Sequence, residues 1–165
     1  MTAFERPPDY SVVRLEGYIL ESPSTDPLTV PLRHVFDGAT SDSQLRLEPE
    51  IRTGDSLLEG HIFSPDLPQP QLTSTVPLVR WTSRSRDDTL VTMDFRFLRG
   101  NPYDGASPRE RIVQDYRFDR LLGYVFPPDR PRRDGTIPLW RWFSPSRLDN
   151  DTTSHASRQF QIDPE

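Results

Sequence analysis

Three stretches of this chain open on one pattern: Leu15-Glu16-Gly17-Tyr18-Ile19-Leu20, Leu58-Glu59-Gly60-His61-Ile62-Phe63 and Leu121-Leu122-Gly123-Tyr124-Val125-Phe126. Each runs into a proline-containing loop. Two of the loops read nearly alike, Phe63-Ser64-Pro65-Asp66-Leu67-Pro68 and Phe126-Pro127-Pro128-Asp129-Arg130-Pro131. A second segment follows 12, 15 and 13 residues after the glycine: Thr29-Val30-Pro31-Leu32, Thr75-Val76-Pro77-Leu78 and Thr136-Ile137-Pro138-Leu139. Between residues 75–86 and 136–147, eight of twelve positions are identical, more than chance readily supplies. The first copy departs there, with His34 and Val35 in place of Arg80-Trp81 and Arg141-Trp142.

A third strand is expected to close each unit. Leu45 to Glu50 matches Phe160 to Glu165, and in the second copy the run Leu90 to Leu98 alternates apolar Val91, Met93, Phe95 and Phe97 with polar residues, the period of a half-buried strand. A lone three-strand unit cannot bury its apolar face, whereas three copies can share one core. The expectation is therefore a mostly β, single domain over residues 1–165, built from three diverged β repeats at about 11–53, 54–98 and 121–165. A β-trefoil-like closed arrangement comes first, with a β-prism, barrel or sandwich as alternatives. The recurring proline cannot donate to a ladder, so its strand is expected at a sheet margin, and the recurring glycine signals a bulge or a close backbone approach. An insertion at about 99–120 carries turn chemistry at Arg99 to Gly105 and a capping-box form, Ser107-Pro108-Arg109-Glu110. One short helix near 108–120 is favoured there, narrowly, over a strand from Ile112 to Phe118.

Length suffices for a real core, but 18 prolines and a modest apolar fraction imply short elements and many loops. Recurrent alternation argues against disorder for most of the chain; the first ten residues and 149–157 are expected to be loose. Without cysteine, disulfides, thiolate metal sites and Cys nucleophiles are excluded. No apolar opening run reads as a secretory signal. The longest apolar stretch, Leu121 to Phe126, is too short to span a bilayer, so a soluble protein with no membrane partner is expected and its compartment stays open.

All 20 basic residues are Arg. Arg suits bidentate and stacked contacts better than Lys. The net charge of −5 is uneven: residues 1–79 carry 5 Arg and 12 acids, 80–147 carry 14 Arg and 9 acids, and 148–165 carry 1 Arg and 4 acids. The basic middle segment suits an anionic partner, although such Arg are more often solvated or paired on strand faces. The acidic total argues against a general nucleic-acid binder, even with Trp140, Trp142 and Phe143 as stacking surfaces.

Candidate sites follow from the repeat. Trp81 and Trp142, each beside Arg80 or Arg141, either stack on a ligand ring or form shared core with Arg on the opposite face; alternation favours the core. Asp66 and Asp129 sit at matching loop positions. Pro7, Pro8 and Tyr10 have the Pro-Pro-x-Tyr form that resembles ligands of WW domains, a partner-binding candidate that exploits a pre-extended polyproline helix. His34 and His61 are the candidates for an enzyme with a central pocket, but His61 takes the place of Tyr18 and Tyr124 and reads as a half-buried aromatic position. Asp149 to Thr153 resembles an acidic phosphotransfer or cation-loop string; neither context is present, and a plain turn is expected. No phosphate loop and no nucleophile elbow occurs. The leading expectation is a non-catalytic recognition module, with no cofactor and no metal, binding a carbohydrate or protein surface through repeat loops. A structural or assembly protein with the N-terminal docking peptide is the second, and the histidine enzyme the third.

Overall fold

Alternating runs rich in β-branched, aliphatic and aromatic residues form strands that carry the recurring glycine or proline within them. The computed structural model describes residues 10–25, 27–37, 42–48, 56–67, 74–83, 88–93, 116–145 and 149–154. Within them lie nine strands: β1 (Ser11–Leu20), β2 (Thr29–Asp37), β3 (Asp42–Leu47), β4 (Ser56–Phe63), β5 (Val76–Ser83), β6 (Asp88–Thr92), β7 (Tyr116–Val125), β8 (Thr136–Ser144) and β9 (Asp149–Thr153). The protein is mostly β, and no helix occurs among the described residues.

All pairings are antiparallel, in one sheet of order β6-β5-β7-β4-β1-β8-β9, with β2 joined to β4 and β3 to β2. Each glycine-bearing strand pairs along its length with a Thr-x-Pro-Leu strand, but not the one that follows it. Gly17 faces Leu139, Gly60 faces Leu32 and Gly123 faces Leu78. The ladders therefore cross the unit boundaries expected from sequence, giving the trios β3-β2-β4, β6-β5-β7 and β9-β8-β1.

The strand carrying the proline is the middle one of each trio, not a margin. The proline is accommodated because it lies beyond the outer ladder. That ladder begins at Leu32 on β2, Val79 on β5 and Trp140 on β8, past Pro31, Pro77 and Pro138. One flank there asks for no donor, so the missing N–H leaves no ladder position unmet.

The ends of β1, β4 and β7 converge. Leu20 pairs with His61, Phe63 pairs with Tyr124, and Tyr18 exchanges backbone hydrogen bonds with Phe126 at 2.9 and 3.1 Å. Glycine is required at this junction. A Cβ on Gly17 would stand 2.5 Å from the Phe126 carbonyl oxygen, and one on Gly60 would stand 2.8 Å from that of Leu20. At Gly123 it would run into the Phe63 carbonyl oxygen. The sheet's hydrogen-bonded path runs from β6 to β9 and does not close on itself, unlike the closed arrangement expected from sequence. The two ends meet through side chains instead of a ladder: Thr152 Oγ1 donates to the Val91 carbonyl at 3.0 Å.

The main apolar core draws on all three trios. Ile19, Ile62 and Val125 come from the converging strands, Leu32, Leu78 and Leu139 from the proline strands, and Leu45, Leu47 and Val91 from β3 and β6. Two local expectations are corrected. Residues 116–120 open β7 rather than end a helix, because Tyr116, Arg117, Phe118 and Arg120 take up ladder positions opposite β5; residues 108–115 lie outside the described residues. Residues 149–154 are not a loose turn, since β9 pairs with β8 and Asn150 to Thr153 are buried. The proposed closing strands at 160–165 and 94–98 also lie outside the described residues.

Candidate functional site

A bulge precedes each of the three glycines. Leu15 and Gly17 face the adjacent residues Trp140 and Leu139, so Glu16 is the extra residue. The same count makes Glu59 extra on β4 and Leu122 extra on β7. A bulge re-aims the side chain it inserts. Here all three point inward, with Glu16, Glu59 and Leu122 at 0, 1 and 0 % exposure.

Glu16 is held from two other strands. Arg141 Nε on β8 donates to Oε1 at 2.8 Å, while Thr92 Oγ1 and the Met93 backbone N–H, at the end of β6, donate to Oε2 at 2.8 Å each. Arg14 Nε stands 3.7 Å from Oε1. Glu59 repeats this plan. His34 Nδ1 on β2 lies 3.1 Å from Oε1, Thr153 Oγ1 donates to Oε1 at 2.7 Å, and the Ser154 backbone N–H donates to Oε2 at 2.7 Å. Each carboxylate thus joins its own trio to the end of an outer strand from another. Satisfying both oxygens is what makes a buried charge tolerable.

At the third bulge Leu122 cannot serve Arg80, the counterpart of Arg141. Asp119 does so from a second bulge on β7, where Arg80 and Trp81 face Arg120 and Phe118. Arg80 Nε donates to Asp119 Oδ2 at 2.6 Å and Nη1 to the Leu45 carbonyl at 3.2 Å.

His34 lies between two acids, with Nε2 3.3 Å from Asp151 Oδ1 on β9 as well as Nδ1 beside Glu59. Asp151, placed in a turn by sequence reasoning, was a missed member of this cluster. A second buried cluster joins Asp88 to the Tyr116 hydroxyl and to the Asn150 backbone and side-chain nitrogens at 3.4 Å. Burial of β9 follows, because its polar side chains land on polar partners. The signal available was spacing: each hairpin pairs residues five apart, Asp37 with Asp42, Ser83 with Asp88 and Ser144 with Asp149.

The remaining candidate residues divide between interior and surface. Trp81 and Trp142 are 8 and 4 % exposed, and Arg80 and Arg141 beside them are both 7 % exposed. Neighbours on a strand point apart, so burial of both members means β5 and β8 are covered on both faces at this point. Trp81 packs edge-on against Phe118, with centroids 5.9 Å apart. Tyr10 is buried against Trp142 and Trp140, so its ring is not displayed to a partner domain in this conformation; Pro7 and Pro8 lie outside the described residues. His61 is buried too, on the β4 stretch where it pairs with Pro31 on one side and Leu20 on the other. Burial pushes its imidazole below the usual histidine range, and Arg33 adds to this while Glu48 partly offsets it. No group of three His, Cys, Asp or Glu side chains suited to a metal ion occurs among the described residues.

Asp66 and Asp129 are both exposed, at matching points of their loops. The loops differ otherwise. Leu67 packs against the Phe63–Tyr124 cluster, and the loop is pinned where the Ser64 N–H donates to the Leu28 carbonyl at 3.0 Å. In the other loop Arg130 replaces Leu67 and stays exposed. A cleft of about 410 Å³ opens beside it, between Ser74–Val76 and Phe126–Arg133. The Arg133 guanidinium lies over the Phe126 ring, 4.4 Å from its centroid, and Phe126 meets Phe63 edge-on at 5.4 Å. Arg132 is spent on the loop itself, its Nε donating to the Thr136 carbonyl at 2.8 Å. No protein-family model, curated protein or solved structure matches the chain.

Proposed function

We propose that this protein is a non-catalytic recognition module, a frame of three diverged repeats whose loops bind a carbohydrate or protein surface. The carrying observation is a division of labour. The buried charges Glu16, Glu59, Arg80 and Arg141 are engaged in joining strands, while Asp66 and Asp129 stand exposed at matching loop positions, Asp129 in the wall of an open cleft. Matching registers of the three glycines against Leu139, Leu32 and Leu78 support the repeat reading. A rigid frame with variable loops is a common way to build binding sites.

The test is a glycan array and a pull-down from lysate, run side by side with the wild type and with Asp66→Ala and Asp129→Ala. Binding in either assay that changes with a loop variant is the expected result, a drop where the carboxylate contacts the ligand and a rise where it repels it. Silence in both, or signals indifferent to both substitutions, overturns the proposal.

A further inference from the structure

The cleft beside the 126–133 loop has a chemical bias that narrows its ligand. Among the described residues its walls carry Arg130 and Arg133 against a single acid, Asp129. Neither guanidinium makes an ion pair among the described residues, whereas Arg14, Arg33, Arg80 and Arg141 all do. Arg133 is also pre-positioned. Its backbone carbonyl accepts from the Thr136 N–H at 3.3 Å and from Oγ1 at 2.6 Å, and its side chain rests on Phe126. A guanidinium so placed loses little entropy on meeting a carboxylate and offers it two parallel N–H donors.

Two features separate peptide from sugar. Among the described residues the aromatic side chain lining the cleft is that of Phe126, and the Arg133 guanidinium already lies over its ring, which leaves a sugar ring less to stack on. The rest of the wall is apolar or hydroxylic, from Val76, Pro127, Pro131, Ser74 and Thr75, which suits a side chain flanking an acid. Resting on the proposed recognition role, we infer that this cleft binds an acidic peptide segment of a protein partner, with Arg130 and Arg133 holding a ligand carboxylate.

The experiment titrates full-length protein into fluorescein-labelled Ala-Glu repeat peptide, followed by anisotropy at low and at physiological ionic strength. A neutral Ala-Gln peptide, a neutral oligosaccharide and a sulfated oligosaccharide are the competing probes. Binding of the acidic peptide should weaken with salt. The Arg130→Ala/Arg133→Ala variant should lose about tenfold or more in affinity, a loss of one to two charged hydrogen bonds. Asp129→Asn should raise affinity by a few-fold, because it removes a repelling charge. Arg117→Ala, exposed at the far end of β7, should change nothing, and unaltered circular dichroism would show each variant folded.

No binding of the acidic peptide overturns the inference. So does an Arg130/Arg133 variant that behaves like Arg117→Ala, or an Asp129→Asn variant that binds more weakly. Preferential binding of either oligosaccharide, lost with Asp129→Ala, overturns the acidic-peptide inference while leaving the recognition role standing. Indifference of every probe to every cleft variant, together with a silent array and pull-down, removes both.

Discussion

Glu16 and Leu122 occupy the same place on their strands, one residue before a glycine and inserted by the same bulge, yet one is a buried anion and the other a core aliphatic. Around Glu16 the structure supplies Arg141, a hydroxyl and a backbone N–H. Around Leu122 the matching Arg80 turns to Asp119, three residues earlier and near the surface. The backbone device is shared, but the charge it carries has moved. The bulge therefore determines where a side chain goes and not what it must be; either chemistry works when its neighbours agree with it.

The largest test of that statement removes the anion and keeps its surroundings. Glu16→Leu copies the apolar bulge but strands the Arg141 guanidinium, which is 7 % exposed, and leaves the Met93 N–H without its acceptor. A loss of about 3–5 kcal/mol is expected from urea unfolding, the usual cost of removing one partner of a buried pair. Replacing both, Glu16→Leu with Arg141→Met, should recover much of it, since an apolar pair of similar volume is often neutral. A single variant that costs under about 1 kcal/mol would show that the carboxylate does not hold β6 against β1.

The β class and the Thr-x-Pro-Leu strands were legible because alternation and proline act locally. The pairing between trios was not. Nothing near Gly60 says that its strand pairs with the segment at Thr29 behind it and not the one at Thr75 ahead, because that choice is made by long-range packing. The glycines were recognised as points of close approach, and the carbonyls of Phe126, Leu20 and Phe63 are what they approach. The repeated pattern does not mark Glu16 and Glu59 as buried charges, since a Glu on an alternating strand normally faces water; only the bulge, which breaks alternation by one residue, turns it inward. For the same reason the polar string at 149–153 read as a turn. A polar strand is buried when partners satisfy its side chains, and here they come from far off in sequence, as Glu59 does for Thr153. At the cleft, loop matching points to Asp129 but not to Arg130 or Arg133, because the contrast between Arg130 and Leu67 matters only where Leu67 packs against its cluster.

A smaller effect is expected at the relocated charge. Asp119→Ala removes the Arg80 partner, but the Asp119 side chain is 38 % exposed, so water screens the pair and can enter the space the carboxylate leaves. Arg80 also keeps the Leu45 carbonyl. Urea unfolding should show a loss of about 1 kcal/mol, shrinking further in high salt, where the Glu16 variant's loss should persist. Equal losses at the two sites, or equal salt responses, would erase the distinction between the inner and outer arrangements.

The smallest effect belongs to the junction where β1, β4 and β7 converge, at the one position that breaks its aromatic set. His61 stands where the other two strands carry Tyr18 and Tyr124, and its burial lowers its proton affinity in the folded state. The unfolded chain, with an ordinary value of 6.5, then binds more protons than the folded one at mildly acid pH. Stability associated with neutral His61 is accordingly full above that value and is lost as pH falls below it toward the lowered folded-state value. His61→Tyr removes this contribution. The difference between the wild-type and variant stability curves, measured by urea unfolding across pH 5 to 8, should be flat at the alkaline end and turn against the wild type on the acid side. A difference curve that is flat throughout would mean that the folded protein protonates His61 as readily as the unfolded chain does, and that burial at the junction carries no electrostatic cost.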